Sequence, residues 1–117
     1  MAAIAFALPV LPGQEETVIR MSEETLRPGP LREAYEESRR NLGISREMAW
    51  LQPTAVGDMI IVYWESDDLQ YVLREIADSQ DQFDSHFRQF IEDSVPAVDL
   101  AREQPLSNRL LFEWQAD

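Results

Sequence analysis

Residues 50–66 read WLQPTAVGDMIIVYWES, and the fold turns on how this stretch is read. Its second half, DMIIVYWES, is rich in strand-forming residues. Ile60, Val62 and Trp64 fall on one face of such a strand, and Met59, Ile61 and Tyr63 on the other. Both faces are apolar. A strand covered on both sides reads this way, whereas a solvated sheet alternates apolar with polar residues. The preceding SREMAWLQ is a shorter strand with Met48 and Trp50 on one face and Ala49 and Leu51 on the other. PTAVG between the two is expected to form a five-residue turn, which makes the pair an antiparallel hairpin.

Upstream, Ile4, Phe6, Leu8 and Val10 alternate with Ala5, Ala7 and Pro9, a period-two strand pattern. Pro9 cannot donate to a ladder, so that strand should end at a sheet edge or bend there. Two helical stretches follow. In the first, Val18, Ile19, Ser22 and Leu26 are expected on one stripe. The RPGP run breaks it, because Pro28 and Pro30 clash with a continuing helix. Pro30 suits the first turn of a second helix, whose stripe is Leu31, Ala34, Tyr35, Ser38 and Leu42, with Gly43 as its C-terminal cap. Together the pieces form one kinked crossover.

Downstream, Asp67 and Asp68 offer an N-cap to a helix with Leu69, Val72, Leu73 and Ile76 on its apolar side. Asp81 caps a further helix bearing Phe83, Phe87, Phe90 and Ile91. NRLLFEWQAD is expected to close the chain as a last strand, with Leu110, Phe112 and Trp114 on one face. The order β-α-β-β-α-α-β, over a single domain spanning residues 1–117, is an α+β plan. It is the ferredoxin-like βαββαβ arrangement with a four-stranded antiparallel sheet. Helices would cover one face of that sheet. The other face also carries bulky apolar groups and needs its own cover. A second copy is the simplest, giving a homodimer whose sheets pack face to face as a dimeric α/β barrel.

Composition narrows the partners. The 117 residues carry 22 Asp plus Glu against 10 Lys plus Arg, a formal charge of −12. That balance repels phosphate backbones and anionic lipid, so neither nucleic acid nor a membrane surface is an expected partner. The apolar start MAAIAFALPVLPG has no Lys or Arg before it and stops at Pro12-Gly13, so it reads as a strand rather than a signal peptide. The chain has no cysteine, which removes disulfide scaffolds, thiolate zinc sites and cysteine nucleophiles and fits a cytoplasmic protein. No Gly-rich phosphate loop, G-x-S-x-G elbow, HExxH or EF-hand loop occurs, so no metal or cofactor is expected.

The segments FALPVLPG, LGI, WLQPTAVGD and QDQFD resemble a family of small uncharacterised bacterial proteins. That family belongs to the dimeric α/β-barrel superfamily, distantly similar to antibiotic-biosynthesis monooxygenase-like proteins. The resemblance implies a ferredoxin-like dimer. Within the superfamily, a haem-degrading branch uses an Asn on the first strand, a Trp on the third and a His on the following helix. Trp64 matches the Trp by position and His86 the His loosely, but residues 3–10 hold no Asn, so that triad is not carried over.

One histidine and four aromatic residues are candidates for a site. His86 is the only histidine. It is the one side chain whose ordinary pKa lies near neutrality, and it sits at the border of its helix's apolar stripe. It reads as an acid-base group or, more plainly, as a boundary residue with one nitrogen in water. Trp50, Tyr63, Trp64 and Trp114 could wall an apolar ligand, or simply pack a core and a dimer seam. Two functions follow. One is a homodimeric barrel that binds a small apolar ligand between sheet and helices. The other is a cofactor-independent enzyme of the monooxygenase or isomerase type, with His86, Tyr63 and Trp64 at its pocket. Arg39, Arg40 and Arg88 are read as partners of the acidic surplus. The acidic pairs Asp67-Asp68 and Glu36-Glu37 are read as capping and solvated surface, since adjacent helical side chains do not converge.

Overall fold

A computed structural model of the protein describes residues 2–78, 89 and 108–116. The chain runs β1 (Ala2–Pro9), α1 (Glu15–Leu26), α2 (Pro30–Leu42), β2 (Ile44–Thr54), β3 (Gly57–Ser66) and α3 (Leu69–Asp78). The strands form a three-stranded antiparallel sheet in the order β1-β3-β2. Two helices carry the chain from β1 across to β2, and β3 returns between them. This is a split βαβ unit, and the protein is α+β.

The breaks in sequence become breaks in structure. α1 ends at the Arg27-Pro28 boundary, and Pro30 opens α2, where its missing N–H is no loss. Gly43 closes α2 in the left-handed region at φ 79°, donating its amide to the Arg39 and Arg40 carbonyls. Asp68 caps α3: its carboxylate accepts from the Tyr71 amide at 3.0 Å.

Three expectations change. The turn PTAVG shrinks to Ala55 and Val56, because Pro53 and Thr54 stay in β2 and pair with Asp58 and Gly57. Pro53 is tolerated because β2 is an edge strand among the described residues. On α1 the buried positions are Val18 and Thr25, while Ile19 and Leu26 are exposed. Burial on α1 thus falls at 18 and 25, with Met21 half-buried between them, rather than along the 18, 19, 22 and 26 stripe. Residues 108–116 form neither helix nor strand, and Leu110, Phe112 and Trp114 are exposed. A strand needs main-chain partners, and here only the Asn108 side chain reaches the sheet. The helix expected from Asp81 and its Phe stripe lie outside the described residues.

One sheet face carries the core. Ile4 and Leu8 of β1 and Ile60, Val62 and Trp64 of β3 pack against Val18, Leu42 and Val72 of the three helices. Trp64 is 1% exposed and meets the edge of the Phe6 ring at 5.0 Å between centroids. The opposite face is made by Ala3, Ala5 and Ala7 of β1, by Met48 and Trp50 of β2, and by Met59, Ile61 and Tyr63 of β3. Among the described residues no helix is long and apolar enough to cross a membrane.

Candidate functional site

Among the described residues two places hold chemistry-bearing side chains, one on each side of the sheet. Beneath α2, Glu47 reaches the helix side because β2 carries a bulge between Ile44 and Arg46. The extra residue, Ser45, puts Ile44 and Glu47 on the same face. Glu47 lies beside Trp64 in the ladder, and α2 brings down Tyr35 and Arg39, one turn apart. The Glu47 carboxylate accepts from the Tyr35 hydroxyl and from Arg39 Nε at 3.0 Å through one oxygen, and from Trp64 Nε1 through the other. The buried Arg39 guanidinium also donates to Ser38 Oγ and lies 5.0 Å from the Tyr35 ring centroid.

This cluster is a closed network rather than a reactive one. Both oxygens of the Glu47 carboxylate are already engaged, by a cation, a phenol and an indole N–H. Among the described residues no buried side-chain nitrogen or oxygen lacks a partner, so nothing there waits for a ligand. Its role is to lock α2 onto the sheet.

Burial, and after it the charge and hydrogen bond of Glu47, push the Tyr35 phenol well above its ordinary value of 10.0, against a smaller opposing pull from Arg39. The folded state therefore holds the phenolic proton more tightly than the unfolded chain does. The resulting stabilisation is complete below pH 10 and is lost as pH rises above it towards the folded value. Denaturant melts between pH 9 and 11 should show unfolding free energy falling with pH. Tyr35→Phe should flatten that slope.

On the opposite face, Trp50 is 49% exposed and shares its side of the sheet with Met48, Ile61 and Tyr63. Tyr63 donates its hydroxyl to Glu65 Oε1 at 2.6 Å. That hydrogen bond is the main reason its phenol is also raised from 10.0, with Arg46 pulling the other way. A phenol is neutral at physiological pH in any case, so Tyr63 acts there as a hydroxyl donor. The face thus has an apolar floor and one polar end, built from Tyr63, Glu65 and Arg46. Such a surface can hold a flat apolar group and orient one polar atom.

The structure brings Trp50 and Tyr63 to one face and places Trp64 on the other. Tyr63 and Trp64 are neighbours in a strand, so they cannot line one pocket. The enzyme arrangement that groups them with His86 loses that geometry, and His86 itself lies outside the described residues. Sequence reading passed over Glu47. The signal for it would have been a lone carboxylate in an otherwise apolar strand facing a helix that carries Tyr and Arg four residues apart. Among the described residues no cluster of His, Asp or Glu could hold a metal ion. No protein-family profile matches this chain, and neither a curated protein nor a solved structure is significantly similar to it.

Proposed function

We propose that the protein works as a homodimeric barrel in which the sheet faces opposite the helices meet. The observation that supports this is the shape of the face. It is small along β1 (Ala3, Ala5, Ala7) and bulky along β2 (Met48, Trp50), with β3 between them. A two-fold axis lying along β3 sets the small half of one copy against the bulky half of the other. The surface is self-complementary in the way a two-fold interface requires. This reading needs only the three described strands of the split βαβ unit in each copy.

The ligand class that suits such a seam is a small apolar molecule with one polar atom, held between the Trp50 side chains near Tyr63. The helix side suits a ligand less well, because Trp64 and Phe6 already fill it. Light scattering at micromolar concentration should give twice the chain mass of 13.5 kDa. Trp50→Glu should return the mass to that of one chain while leaving the fold intact, since Trp50 is half exposed. Native mass spectrometry of protein from its source would identify a retained ligand. A monomeric wild type would overturn the dimer.

A further inference from the structure

On the sheet face opposite the helices, the register fixes who stands beside whom. Arg46 lies next to Glu65, Met48 next to Tyr63, and Trp50 next to Ile61. Arg46 and Glu65 are thus direct cross-strand neighbours of opposite charge, the setting in which an ion pair is expected. They do not form one. Glu65 accepts from the Tyr63 hydroxyl at 2.6 Å, while the Arg46 guanidinium leans along its own strand onto the Met48 sulfur at 3.5 Å. Among the described residues Arg46 meets no carboxylate, although Arg32, Arg39 and Arg40 each do. A thioether is a weak acceptor for a cation with five N–H donors. In a chain of formal charge −12, acidic groups are in excess, so a cation left on an apolar face beside an unused carboxylate is conspicuous. Its lean brings it towards Trp50, which is 49% exposed on the same face.

Resting on the seam reading above and naming its ligand, we propose that this face binds a flat aromatic carboxylate, with the ring on Trp50 and the carboxylate on Arg46. The guanidinium fork matches a carboxylate through two parallel N–H···O bonds. The indole offers a face for offset stacking. Residues two apart on a strand are separated by about 7 Å, so a fused two-ring acid can reach from the Trp50 indole to a guanidinium held over Met48. The small side chains of Ala5 and Ala7 leave the room. Across a two-fold seam those of one copy face Met48 and Trp50 of the other, with the sheets about 10 Å apart. The guanidinium stands between Glu65 and the ligand position. It therefore separates two negative groups, and a single negative charge on the ligand is favoured over two.

Naphthoate and its neutral amide, naphthamide, share a ring system and differ in charge. By isothermal titration calorimetry the wild type should bind the acid about tenfold or more tightly than the amide, the worth of a charge-assisted hydrogen-bonded pair. Arg46→Gln should bring the acid down to the affinity of the amide. Trp50→Ala should weaken both probes by similar factors. Glu65→Gln should tighten the acid and leave the amide unchanged, because it removes a like charge near the carboxylate. Equal affinities for the two probes in the wild type, binding of neither, or an acid preference that survives Arg46→Gln would each overturn the anion site. Sedimentation of the same samples separates this result from the dimer. A monomeric wild type that still prefers the acid overturns the dimer alone, and a dimer without that preference overturns the anion site alone.

Discussion

Replacing Glu47 by Ala should lower the unfolding free energy by about 3–5 kcal/mol, the cost typical of removing one member of a buried ion pair. The reason lies in what remains. Arg39 is 6% exposed, and removing Glu47 takes away a carboxylate 3.0 Å from its Nε. The Trp64 indole N–H and the Tyr35 hydroxyl lose their acceptor in the same step. Chemical denaturation followed by tryptophan fluorescence measures the loss. Glu47→Gln should cost less, because an amide oxygen still accepts from the indole. A second comparison separates charge from packing. The double variant Arg39→Met/Glu47→Leu should recover much of the stability, since well-packed apolar replacements for a buried pair are often neutral. If Glu47→Ala cost under 1 kcal/mol, the network would be ornamental and α2 would be held by Leu42 and its neighbours alone.

The two tryptophans of the hairpin should behave oppositely. Trp64→Ala removes the largest side chain of the core and should cost about 3–5 kcal/mol, because the sheet and helices cannot collapse into so large a void. Trp64→Phe keeps most of the apolar contact but strands Glu47's second oxygen, and about 1–2 kcal/mol is expected. Trp50→Ala should change the stability of a single chain by less than about 1 kcal/mol, being half exposed on the far face. Stability measured at several protein concentrations distinguishes the effects, because an associating protein gains stability with concentration. In Trp50→Ala the concentration dependence should disappear, and in Trp64→Phe it should persist. Equal losses for the two alanine variants would contradict the assignment of opposite faces.

Much of this architecture is legible in the residues. The doubly apolar run at 59–64 marks the central strand, and Pro28, Pro30, Gly43 and Asp68 mark the helix ends where they occur. Each of these acts through its own backbone or through strict alternation, which needs no knowledge of neighbours. The misread parts depend on neighbours. Pro53 looks like a turn residue, and only its place on an edge strand keeps it in the ladder. The bulge at Ser45 changes the phase of alternation, so period-two counting from Ile44 assigns Glu47 to the wrong face. Without that phase Glu47 cannot be seen as the partner of Arg39, although an acidic partner for Arg39 was expected. The candidate site divides for a simpler reason. Tyr63 and Trp64 are adjacent, and parity alone sends them to opposite sides. The alternation of Leu110, Phe112 and Trp114 reads as a strand, but among the described residues no neighbouring main chain gives it a ladder.

The amide of Asn108 has one further consequence. A side-chain amide presents a donor and an acceptor in one plane, as a peptide unit does, so its two bonds to Ala5 imitate one rung of a ladder. A foreign strand approaching β1 would find that rung already occupied and would have to evict a satisfied group to register. Asn108 thus works as a stopper. It ends the sheet at β1 without adding a full strand, which guards a chain of small, flat residues against end-to-end polymer growth.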